Sequence, residues 1–127
     1  MNGGALFFVY GLLMTGYPGF SKLELSTRSR VVGPARVRGR LYDLGDYPGL
    51  LTSDDGVVLG ELISVLDPRL IDELDTYEMY DPGNAAESEY LRRPVLALDR
   101  SVEAWTYVYN RPVTGFPIIE SGDWRRR

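Results

Sequence analysis

The sequence predicts an α+β domain: a mixed, antiparallel-rich sheet curling toward a small β-barrel, with one or two helices packed on it. Short apolar or alternating stretches at 5–10, 31–41, 57–65, 90–98 and 102–109 read as strands. Only the stretch 66–80 has firm helical spacing. No internal repeat or linker divides the chain, so 1–127 reads as a single domain, and 127 residues suffice for one core.

The start, 1–4, reads as flexible, and the run ALFFVY at 5–10 as a strand buried on both faces. Gly11 ends that strand and opens a tight loop, Gly11-Leu12-Leu13. Its N–H groups can point at an anion or carbonyl oxygen, although most such glycines only make turns. Gly16-Tyr17-Pro18-Gly19 is a turn, and 20–29 has room for a short helix of poor periodicity.

In 31–41, Ala35, Val37, Gly39 and Leu41 alternate with Arg36, Arg38, Arg40 and Tyr42, giving one apolar and one basic face. With Arg28 and Arg30 the arginines suggest a phosphate or nucleic-acid patch. The solvated face of a strand explains them better, because the chain carries a net charge of −4 and no stacking aromatics accompany them. The stretch 43–55 reads as a long loop. At 57–65 a strand follows the Asp54-Asp55-Gly56 corner and is expected to pair with the one before it.

The stretch 66–80, LDPRLIDELDTYEMY, opens with Asp67 as a capping residue and Pro68 at the first helical position. Leu70, Ile71 and Leu74 share one face, and Glu78 continues it, while Asp72, Glu73 and Thr76 turn to water. A carboxyl held against apolar surface has a raised pKa and can serve as a general base or acid. The competing reading ends the helix near Tyr77 and points Glu78 into solvent.

Beyond the helix, DPGNAAES at 81–88 reads as a turn-rich segment suited to a flexible lid or a proteolytic nick. Strands follow at 90–98 and 102–109. In the second, Trp105, Tyr107 and Tyr109 form an aromatic row that packs a core or walls a pocket. The three terminal arginines read as exposed or disordered.

Two absences limit the chemistry. With no Cys and no His there is no disulfide, thiol nucleophile, Ser-His triad or imidazole ligand, and Lys22 is the single lysine. A base, if there is one, is a carboxylate. No calcium-loop spacing occurs, so no metal is expected. No apolar run nears the ~20 residues of a membrane span, and no basic residue precedes 5–9 as in a signal peptide, which favours the cytoplasm.

FFVYGLL near the start, GRLYDLGDYPGLL, LDTYEMY, YLRRPV, AWTYVY and IIESGDW stand in one order across nearly the whole chain. In that order they resemble the gamma-glutamylcyclotransferase-like family, including its avirulence-induced and gamma-glutamylamine cyclotransferase branches. The resemblance implies a compact mixed barrel with a pocket at its mouth. It also implies a cofactor-independent transferase or lyase that cyclises gamma-glutamyl compounds to 5-oxoproline and releases the amine. The family's Tyr-Gly-Ser/Thr-Leu loop falls on Tyr10, Gly11, Leu12 and Leu13, and would hold the glutamyl head group largely through N–H groups. The family's catalytic Glu falls on Glu78, and its late-strand tyrosine on Tyr107. Leu12 departs from the family's Ser or Thr, so a hydroxyl is lost. The expected partner is a small gamma-glutamyl substrate, with no nucleic acid, no membrane and no cofactor; oligomeric state is left open. The alternative is a ligand-binding or interaction domain that keeps the fold without turnover.

Overall fold

The computed structural model describes residues 4–127; the flexible start expected over 1–4 lies, up to residue 3, outside them. The order is β1 (Leu6–Val9), α1 (Pro18–Lys22), α2 (Leu25–Arg28), β2 (Ser29–Arg38), β3 (Arg40–Asp43), β4 (Pro48–Leu51), β5 (Val57–Val65), α3 (Leu70–Tyr77), β6 (Tyr90–Ala97) and β7 (Val102–Tyr109). Short 3-10 turns lie at Pro82–Glu87 and Trp124–Arg126. No helix among the described residues is long and apolar enough to cross a membrane.

Five strands form one sheet in the order β2-β5-β1-β7-β6. β1 lies at its centre because Phe7, Phe8 and Val9 are apolar on both sides of the pleat, and all three are buried. It runs antiparallel to β5 and parallel to β7, where Phe7 stands opposite Trp105. β5 also pairs with β2, as expected from the Gly56 corner, and β6 with β7.

The sheet is strongly curled, but it is not the barrel expected from the sequence. Outer strands β2 and β6 approach at one end, where the Leu98 N–H donates to the Arg36 carbonyl at 2.8 Å and Arg36 pairs with Asp99 at 2.6 Å. No ladder joins them. Both strands carry a proline, Pro34 and Pro94, and β2 is irregular between Val31 and Gly33. Missing N–H groups and broken register oppose a closing ladder.

The strand expected over 31–41 starts earlier, at Ser29, and breaks at Gly39, where a Cβ would sit 2.7 Å from the Leu51 carbonyl oxygen. Beyond the break, β3 forms a hairpin with β4, which lies inside the region 43–55 read as a long loop. The Pro48 and Gly49 that suggested a loop begin β4. The tail adds to this hairpin: the Ile119 N–H donates to the Leu41 carbonyl at 2.7 Å, and the Asp43 N–H to Pro117 at 2.9 Å. The three terminal arginines are exposed, as one of the two expectations had it, but the C-terminus is held in place. Trp124 is buried, and Arg127 lies 3.6 Å above its ring.

The basic face of β2 and β3 is a solvated strand face. Arg36 pairs with Asp99 and Arg40 with Asp55, while Arg28 joins Asp67 and Glu73. The 81–88 segment is pinned instead of lid-like: Ser88 Oγ donates to the Asn84 carbonyl at 3.0 Å, and Asn110 Nδ2 donates to the Ala85 and Ser88 carbonyls.

Candidate functional site

Helix α3 is shorter at its start than its sequence suggests. Asp67 does not cap it directly; its Oδ1 accepts from the Arg69 N–H at 3.0 Å, and its carbonyl accepts from the Leu70 N–H. Leu70 and Leu74 are fully buried, which fixes the rotation of the helix.

Both readings of the helix end are partly right. The helix stops at Tyr77, yet Glu78 does not point away into solvent. Glu78 is the last helical cap, and Met79 follows in the left-handed region with φ +54°. The Tyr80 N–H donates to the Asp75 carbonyl at 2.9 Å and the Met79 N–H to the Thr76 carbonyl at 3.1 Å. This is a Schellman turn, usually closed by glycine. It turns the chain away while Glu78 stays on the inward face.

That face opens on a cavity of about 240 Å³. Every site residue expected from the sequence lines it: Tyr10, Gly11, Leu12, Leu13, Glu78 and Tyr107. Leu12 thus lies at the cavity. Phe8, Tyr47, Pro48, Glu89 and Tyr90 complete much of the wall. Gly11 is required because a Cβ there would come within 2.7 Å of the Pro48 ring.

The Glu78 carboxyl makes no side-chain hydrogen bond and no ion pair among the described residues. Burial, and secondarily the charge of Glu89, push its pKa up to about 8. Its position at a helix C-terminus, where the last carbonyls are partially negative, disfavours the anion further. The loop supplies the complementary groups. Met14 N–H donates to the Gly11 carbonyl at 3.1 Å, closing a turn whose Leu12 and Leu13 N–H groups donate to nothing else among the described residues. The Gly19 N–H holds the Leu12 carbonyl at 2.8 Å.

The tyrosines are committed to structure. Tyr10 donates to the Tyr107 carbonyl at 2.6 Å and accepts from the Leu50 N–H at 3.3 Å. Tyr90 donates to the Pro48 carbonyl at 2.7 Å. Tyr107 donates to Asp75 Oδ1 at 2.6 Å, and its ring stacks on Phe7. Burial, then this hydrogen bond, raise the Tyr107 phenol well above its ordinary range.

Asp75 is the residue that the sequence reading missed. It is buried, and it also accepts from Arg92 Nε at 2.9 Å. The spacing carried it: Asp75 is four residues after Ile71 and three before Glu78, on the same face. Arg92 in turn lies over the Trp105 ring at 4.9 Å. The Asp75–Arg92–Tyr107 cluster ties α3 to β6 and β7 one turn before Glu78.

An apolar pocket lined by one unpartnered carboxyl of near-neutral pKa and by a turn with unused backbone N–H groups can hold a small ligand and exchange a proton with it. The chain belongs to the gamma-glutamylcyclotransferase family: residues 7–126 match the family model described as "Gamma-glutamyl cyclotransferase, AIG2-like". It is 40% identical over 121 residues to the gamma-glutamylcyclotransferase family protein YtfP of Escherichia coli K12, covering 94% of this chain and 96% of that one. The solution structure of ytfP from E. coli superposes with a TM-score of 0.71 at 34% identity, covering 94% and 95%. An AIG2-like protein from Mus musculus shares the fold, with a TM-score of 0.71 at 23% identity, covering 94% and 88%.

Proposed function

We propose that this chain is a gamma-glutamyl cyclotransferase that converts a gamma-glutamyl amine or peptide to 5-oxoproline and the free amine. The observation that carries the reading is the placement of Glu78: an unpartnered carboxyl, its pKa up to about 8, lining the same cavity as the Gly11–Leu13 turn, whose Leu12 and Leu13 N–H groups donate to nothing among the described residues.

The substrate supplies its own nucleophile. Its α-ammonium first gives a proton to the Glu78 carboxylate. The freed amine attacks the γ-carbonyl carbon, forming the ring C–N bond. Glu78 then gives that proton to the departing nitrogen as the original amide C–N bond breaks. The carboxylate so regenerated takes the second proton from the ring nitrogen, leaving the neutral lactam, and passes it to the released amine, which departs as an ammonium. A carboxyl with pKa near 8 suits both halves of this exchange, since it sits between an ordinary acid and an alkylammonium. The Leu12 and Leu13 N–H groups bind the α-carboxylate or the developing oxyanion. Holding the substrate folded supplies much of the remaining acceleration.

The test is 5-oxoproline release from gamma-glutamyl amino acids, amines and glutathione by wild type and Glu78→Gln. Release by the first alone is expected; equal release by both overturns the assignment of Glu78. A second reading rests on Leu12 at the cavity, in place of the family's Ser or Thr: a domain that binds gamma-glutamyl compounds without turnover. Binding by calorimetry with no product from any substrate would favour it.

A further inference from the structure

The cavity is unevenly charged. Two carboxyl groups, Glu78 and Glu89, line it, and among the described residues no Arg or Lys does. Its floor is closed, with Tyr10, Tyr90 and Tyr107 all buried. The outer side is formed by Tyr47, which is 37% exposed, and by the half-buried Glu89. Tyr47 donates to Glu89 Oε2 at 2.7 Å, whereas Oε1 receives no donor among the described residues. The Glu89 backbone is equally fixed. Its N–H donates to the Met79 carbonyl at 3.0 Å, and its carbonyl accepts from the Asn110 N–H at 2.8 Å. Glu89 is therefore held one hydrogen bond from the turn that carries Glu78, with one carboxylate oxygen free at the rim.

If the head group occupies the floor near Gly11–Leu13, the leaving amine extends past Glu78 toward Tyr47 and Glu89. There it meets a fixed negative charge and no positive one. We infer that Glu89 is a specificity-determining residue that selects gamma-glutamyl amines whose leaving group carries a second, cationic amino group and no carboxylate. The inference rests on the cyclotransferase reading above. A peptide-like leaving group brings its own carboxylate against Glu89; an alkyldiamine brings an ammonium that the free Oε1 can accept.

Three compounds of similar length test this: gamma-glutamyl-1,4-diaminobutane, gamma-glutamyl-butylamine and gamma-glutamyl-4-aminobutyrate. Wild type should prefer the diamine over the neutral amine by at least about tenfold in kcat/KM, the effect of a hydrogen bond to a charged group. The acid should be worst, and the preference should shrink as salt is added. In Glu89→Gln the diamine and the butylamine should become nearly equal, while Glu89→Asp should keep the order. The ratio is the right readout because any effect of Glu89 on Glu78 acts on all three compounds alike. Calorimetric affinities of the same compounds are measured in parallel. Absence of turnover with all three and with the gamma-glutamyl amino acids and glutathione of the first test, but a diamine preference in binding that Glu89→Gln removes, would overturn the cyclotransferase reading and leave the role of Glu89 standing. Equal treatment of the three compounds by wild type, or an unchanged preference in Glu89→Gln, would overturn the inference.

Discussion

The Tyr107 hydroxyl donates to Asp75 Oδ1 at 2.6 Å, joining the aromatic strand β7 to helix α3 three residues before Glu78. Arg92 holds the same carboxylate from β6. One buried acid thus fixes the height and rotation of the helix end, and with it the direction in which Glu78 points.

Asp75→Ala should leave Arg92 and the Tyr107 phenol without their shared partner. Removing one member of a buried ion pair costs roughly 3–5 kcal/mol. Urea denaturation should show a loss at or near the lower end, because Arg92 keeps contact with solvent. Tyr107→Phe removes only the hydrogen bond, and should cost about 1.5–3 kcal/mol while leaving 5-oxoproline release within a few-fold of wild type.

Glu78 should impose a pH dependence on both rate and stability. Its folded pKa is raised from 4.5 to about 8, so the folded state binds more protons than the unfolded state between those values. Stability should therefore fall as pH rises through that window. Glu78→Gln removes the titration, so the variant should gain on wild type from pH 5 to pH 9, by an amount on the order of a few kcal/mol. Thermal denaturation across that range reads it. In the wild type, kcat/KM should climb as Glu78 ionises near pH 8. The limb in kcat should lie lower, because a bound α-ammonium favours the carboxylate.

Leu12→Thr restores the hydroxyl usual in the family at a position that lines the cavity. The Leu12 carbonyl, held by the Gly19 N–H, and the turn geometry are backbone features that the substitution leaves in place. KM for gamma-glutamyl substrates should fall by a few-fold, the effect of one added hydrogen bond, read from 5-oxoproline release.

Met79→Gly relieves a left-handed residue at the helix C-terminus, where φ is +54° and the side chain is 65% exposed. Glycine there should stabilise the protein by about 0.5–1 kcal/mol, part of the gain being offset by a freer unfolded chain. Thermal unfolding reads the gain, and turnover should change little because the Schellman hydrogen bonds are retained.

The amino-acid order was most informative where chemistry is local. The apolar runs at 57–65 and 102–109 became β5 and β7 with those bounds, since burial on a pleated surface leaves a period-two or continuous apolar record. The resemblance carried by the ordered motifs brought Tyr10, Gly11, Leu12, Leu13, Glu78 and Tyr107 onto one wall system. β4 was hidden because Pro48 and Gly49 read locally as a turn, and only pairing with β3 makes them a strand.

Side-chain periodicity was enough for the α+β class, for a first strand buried on both faces, and for a carboxyl in line with the apolar stripe of one helix. Tertiary structure decided the rest. Whether the sheet closed depended on how β2 and β6 met, and their prolines and broken register left it open. The partner of Asp75 depended on β6 and β7 being brought to α3, 17 residues away in Arg92 and 32 in Tyr107. The direction of Glu78 depended on a left-handed turn at Met79, a conformation its side chain does not announce. Periodicity reports which face of an element is buried; it does not report what lies across the gap.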